Sequence, residues 1–94
     1  MAENKNTAVI SVIGKDRVGI IAGVSKLLME NNININDISQ TILQDIFTMI
    51  MIVDLQGLEI ENSDIKEKLS SLGDELGVKI TIQHTELFNR MHRI

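Results

Sequence analysis

The chain has 94 residues and a formal net charge of −4, and it contains neither cysteine nor proline. That length fits one domain, the charge opposes a surface that neutralises nucleic-acid phosphates, and the missing cysteines exclude a disulfide framework and a thiolate metal site. No apolar run is long enough to span a bilayer and the polar start "MAENKNT" does not read as a secretory signal, so a cytoplasmic protein without membrane contact is expected.

Residues 7–13, "TAVISVI", are rich in β-branched side chains and predict a first strand. From Val18 to Asn31 the residues Ile21, Val24 and Leu28 recur at helical spacing with Leu27 beside them, and "ENN" ends that helix. Residues 33–43 predict a second strand, with a bulge or bend at "NIND". After the short turn "QD", residues 46–55 form a third strand that is apolar on both faces. Phe47, Met49, Met51 and Val53 lie on one face, Ile46, Ile50 and Ile52 on the other. Asn62 or Ser63 caps a second helix whose stripe is Ile65, Leu69, Leu72 and Leu76, and Gly77 closes it. Val78, Ile80 and Ile82 alternate with polar residues as a fourth strand. In the tail, Leu87, Phe88, Met91 and Ile94 fall at helical spacing and form an apolar stripe that must bury itself on the sheet or on a partner chain.

This order predicts an α+β, ferredoxin-like βαββαβ sandwich. Its four-stranded antiparallel sheet runs 4-1-3-2, two helices cover one face, and a short C-terminal helical tail follows. One domain then spans 1–94, with its core in 7–84 and its tail in 86–94. One sheet face and the edge of the second strand lack cover, which favours a homodimer.

The fold hosts many activities, so function must come from the site. A metallochaperone needs paired cysteines, and base stacking needs aromatics on the central strands, where only Phe47 is available. The loop "GKDRVG" at 14–19 invites a phosphate reading, but Ile20 and Ile21 stand where a Walker loop needs lysine and a hydroxyl. An acylphosphatase-like reading of Arg17 with Asn34 or Asn36 meets an anionic loop at Asp16. Enzyme chemistry is therefore not expected. His84, Glu86 and His92 lack metal-ligand spacing, and neither metal nor cofactor is expected.

"KDRVGII" at 15–21 and "NNININDIS" at 31–39 resemble the ACT domain family, whose pattern is a D/N-R-P-G turn opening the first helix and N-I-x-N/D-I entering the second strand. The resemblance covers residues 7–84. With the tail "FNRMHRI" the chain is similar to small standalone ACT proteins, and in turn to the repressor of the glycine cleavage system. It implies a regulatory or sensor module that binds a small ligand, usually an amino acid, at a dimer interface. Asp16 and the backbone around Gly19 would line one side, and Asn34 the other, often from the partner chain. Val18 departs from the family's proline, which would fix φ at the first helical position.

These residue types suit that chemistry. Asp16 can accept hydrogen bonds from an ammonium group, the N–H groups of Val18, Gly19 and Ile20 suit a carboxylate, and Asn34 offers a donor and an acceptor. Plainer roles stand beside them. Asp16 can cap the first helix, Arg17 can be solvated, and Gly19 and Gly23 can let that helix pack tightly on the sheet. Met29, Met49 and Met51 fill core or interface gaps. Ile35, Ile38, Phe88 and Met91 are the candidate interface residues. The alternative to a sensor is a protein-interaction module whose task is assembly.

Overall fold

The computed structural model describes residues 6–91. In chain order the elements are β1 (Thr7–Lys15), α1 (Ile20–Glu30), β2 (Asn34–Leu43), β3 (Ile46–Asp54), α2 (Ile65–Leu76), β4 (Val78–His84) and α3 (Thr85–Met91). The strands form one antiparallel sheet in the order β2-β3-β1-β4, the expected ferredoxin-like arrangement read from its other edge.

Period-two alternation decides which face of each central strand is dry. Ala8, Ile10 and Val12 of β1 and Met49, Met51 and Val53 of β3 are fully buried, and they meet Val24 and Leu28 of α1 and Ile65 and Leu69 of α2. Each of these side chains larger than alanine contributes about 1.5–3 kcal/mol relative to exposure. The opposite sheet face is covered only in part. There α3 packs against β1 and β4, Thr7 Oγ1 donates to Thr85 Oγ1 at 2.8 Å, and Val9 is buried. At the other end of this face Ile13, Leu43 and Ile46 are 51%, 70% and 51% exposed.

Several details correct the sequence reading. The buried stripe of α1 is Ile20, Val24 and Leu28, whereas Ile21 is partly exposed. The helix starts two residues later than expected, and this register sends Ile20 inward. Its N-cap is Gly19, at φ 98°, with no side-chain cap; Asp16 does not cap it. Only glycine adopts that backbone without strain. Gly23 makes a helix-on-helix contact, not the helix-on-sheet contact expected: a Cβ there would lie 3.4 Å from Leu76 Cδ1 and 3.6 Å from Leu72 Cδ1. Met29 is 68% exposed and fills no core gap. The N-cap position of α2 is Asp64, although Ser63 Oγ does accept from the Ile65 N–H at 3.3 Å. Gly77 closes α2 at φ 75°, as expected, and the bulge falls between Ile35 and Asp37.

The closest backbone approach is at Gly73, where a Cβ would stand 2.6 Å from the Val78 carbonyl oxygen. A backbone oxygen cannot step aside as a side chain can. Gly73→Ala is expected to destabilise by about 1–3 kcal/mol, the usual cost of overpacking. A urea unfolding curve checks this: the midpoint falls while the slope is retained.

Candidate functional site

The loop between β1 and α1 is held at one corner of the sheet. The Asp16 N–H donates to the Asp45 carbonyl at 2.8 Å, which ties the loop to the β2–β3 turn. Residues 16–19 are exposed, with Val18 at 94%, and no hydrogen bond engages the Asp16 carboxylate among the described residues. The first recorded bond across the helix start runs from the Gly23 N–H to the Gly19 carbonyl at 2.9 Å. The N–H groups ahead of it have no partner within the helix, by the geometry of any helix start. They meet the positive end of the helix dipole, with Asp16 close in sequence.

Of the expected ligand residues, Asp16, Val18 and Gly19 therefore share one open corner. Ile20 contributes only its backbone there, because its side chain is 2% exposed and belongs to the core. A shallow concavity of about 420 Å³ lies beside Asp16, lined also by Lys15, Arg17, Leu76 and Gly77. Arg17 is exposed, and its guanidinium donates to the Leu76 carbonyl at 3.4 Å, at the negative end of α2. Sequence reading had no signal for that contact, because it needs the end of α2 folded back onto the loop.

Asn34 is not at this corner. It pairs with Asp54, which pairs with Thr7, whereas Asp16 follows Lys15 at the other end of β1. The eight-residue offset from Thr7 to Lys15 corresponds to roughly 27 Å of strand. Within one protomer, Asp16 and Asn34 cannot hold one small molecule. Asn34 is exposed, donates from Nδ2 to Asn36 Oδ1 at 3.0 Å, and shares the register of Asp54 on the sheet face away from α1. It lines a separate concavity of about 410 Å³ with Ser25, Met29 and Gln56 among its walls.

The expected interface residues are equally divided. Ile35 is half-buried against the core and Ile38 is 42% exposed on the helix side of β2. Phe88 is half-buried on α3; the side chain of Met91, and Ile94 of the same stripe, lie outside the described residues. Among the described residues no three His, Asp or Glu side chains converge to hold a metal, and no helix is long and apolar enough to cross a membrane.

A family model described as the ACT domain matches residues 6–83. A UPF0237 protein of Methanocaldococcus jannaschii is 52% identical over 86 residues, 92% of this chain and 96% of that protein. The fold superposes on an ACT domain protein from Streptococcus pneumoniae with a TM-score of 0.78 at 40% identity, covering 87% of this chain and 92% of that one. It also superposes on a putative glycine cleavage system transcriptional repressor, with a TM-score of 0.71 at 25% identity, over 82% of this chain and 44% of that one. With the loop, the strand-two motif and the sheet order all in place, the chain belongs to the ACT domain family.

Proposed function

We propose that the protein is a homodimeric regulatory module, not an enzyme, that binds a small amino acid where two copies meet along β2. The observation that carries this reading is the separation of Asp16 from Asn34 within one protomer. An antiparallel seam between two β2 strands, centred on Ser39 and carried past the bulge between Ile35 and Asp37, sets Asn34 of a second copy opposite Leu43. Leu43 pairs with Ile46, which pairs with Lys15. Three strand spacings, roughly 14 Å, then separate the loop backbone from Asn34 of the second copy. Ile46 and Leu43 floor that span on the face away from α1, the face of Asn34, so the zwitterion reaches from the loop at the end of the sheet onto that face.

The edge itself supports the seam. β2 reads "NINDISQTIL", with no lysine, arginine or proline to discourage pairing, and it exposes Ile38, Ile42 and Leu43. A second copy would cover these aliphatic groups and complete the backbone ladder. At the corner so formed, the N–H groups at the start of α1 take the carboxylate, and Asp16 takes the ammonium group. The similarity to a repressor supports a regulatory rather than a catalytic task. A signal reaches a partner protein through the dimer arrangement that the ligand favours.

A thermal melting screen against the twenty amino acids tests this reading. A ligand at a hundred times its Kd raises stability by about 2.7 kcal/mol, several degrees for a domain of this size. Asp16→Ala is expected to remove the shift without lowering the ligand-free Tm, because its carboxylate engages no hydrogen bond among the described residues. No shift with any amino acid favours the assembly module instead.

A further inference from the structure

The sheet has a second edge, β4, and a concavity of about 470 Å³ runs along it. α2 borders this space with Lys66 and Ser70 and is thus set back from the edge it covers. Ile80 and Ile82 line the concavity on the helix side of the sheet. Lys79, Thr81 and Gln83, which pair with Ile13, Ser11 and Val9, line it on the open face. As on any antiparallel edge, every second residue turns its N–H and C=O outward without a strand to receive them.

Two rows of side chains along this edge are complementary to themselves when reversed. An antiparallel pairing of β4 with a second β4, centred on Thr81, sets Lys79 opposite Gln83 and Ile80 opposite Ile82, twice each. Lysine on an edge strand ordinarily opposes pairing between copies. In this register it meets no second lysine. It meets Gln83, whose Oε1 is buried with no hydrogen-bond partner among the described residues and takes a donor. On α2, Lys66 and Ser70 face the edge and Asp74 continues their row one turn on, whereas Ser71 and Leu72 face Leu27 of α1. Reversed about Ser70, Lys66 stands opposite Asp74. Among the described residues neither of these charges is in an ion pair.

The two reversals share one axis. A Cβ on Gly73 would lie 2.6 Å from the Val78 carbonyl oxygen and 3.5 Å from the Ile80 nitrogen, which sets Gly73 level with Lys79. α2 turns back into β4 at Gly77, so the two elements run in opposite directions. From Gly73 back to Ser70 is roughly 4.5 Å, and from Lys79 on to Thr81 roughly 6.6 Å. Ser70 therefore stands within roughly 2 Å of the level of Thr81. We infer that β4 and α2 form a self-association surface, on which a second copy pairs its β4 about a two-fold axis at Thr81 and exchanges Lys66–Asp74 contacts between the helices. This edge lies across the sheet from β2, and the contact does not depend on an amino-acid ligand.

Thr81→Cys tests it in the full chain, which has no cysteine of its own. Directly opposed residues of an antiparallel pair lie about 4.5–5.5 Å apart at Cα, within disulfide range. With oxidised glutathione, the Thr81→Cys chain is expected to run as a covalent dimer on a non-reducing denaturing gel. Lys79→Cys, at an equally exposed position that faces Gln83, is expected to stay monomeric there. In the Thr81→Cys chain, adding Lys66→Glu sets like charges against Asp74 and slows crosslinking about tenfold, and adding Asp74→Lys as well restores the rate. Absence of the Thr81→Cys dimer overturns the proposal, and so does equal crosslinking through Lys79→Cys. A rate indifferent to Lys66→Glu, or not restored by the charge exchange, overturns it too. None of these readouts involves β2 or the Asp16 corner.

Discussion

Met51→Ala is expected to cost about 2–5 kcal/mol, the range for truncating a buried long side chain. Met29→Ala is expected to change stability by less than about 0.5 kcal/mol. The two residues are alike in sequence and opposite in place. Met51 is fully buried on a central strand, paired with Ile10 of β1 and Ile38 of β2, and its truncation leaves a cavity between the sheet and the helices. Met29 sits on the outer side of α1 at 68% exposure. Each kcal/mol moves Tm by about 4–8 °C in a domain of this size, so Met51→Ala loses at least about 8 °C. Parallel melts at one protein concentration decide it, since a dimer's Tm depends on concentration. Equal losses from both variants would mean that Met29 is buried in the working assembly.

Mixing two silent variants is expected to restore ligand binding. Asp16→Ala and Asn34→Ala should each abolish the ligand-induced shift in a homodimer, because every site in it lacks one side. In a mixed dimer one site lacks both residues, and the other has Asp16 from one subunit and Asn34 from the other. Random exchange at equal amounts therefore returns about one quarter of the sites. Calorimetric titration of the unmixed and refolded mixed samples measures the recovered stoichiometry. A site built within one protomer would show no recovery, and that result would remove the shared-site reading while leaving the fold untouched.

Much of this was readable from sequence because the signals are local. The alternation in 46–55, the glycine at 77 and the polar interruption "NIND" each act over a few residues, and each lies where expected. Registers set by neighbours were harder. Ile20 and Ile21 are equally apolar, and only the position of Gly19 in the left-handed region decides which one turns inward. Gly23 and Gly73 are glycines for the sake of distant partners, Leu72 and Leu76 in one case and the Val78 carbonyl in the other. Ile60 belongs to the core although it sits outside any helix or strand, where neither periodicity applies. The candidate site was half legible: the motif names Asp16 and Asn34, while only the strand order shows that they stand at opposite ends.

The hydrogen bond from Asp16 to Asp45 joins the loop between β1 and α1 to the turn that closes β2. In a dimer joined along β2, whatever steadies that loop also steadies the strand on which the second subunit rests. Ligand affinity and subunit affinity then rise together and by the same factor. Such a sensor reports its own abundance as well as its ligand: dilute protein needs more amino acid to respond than concentrated protein does.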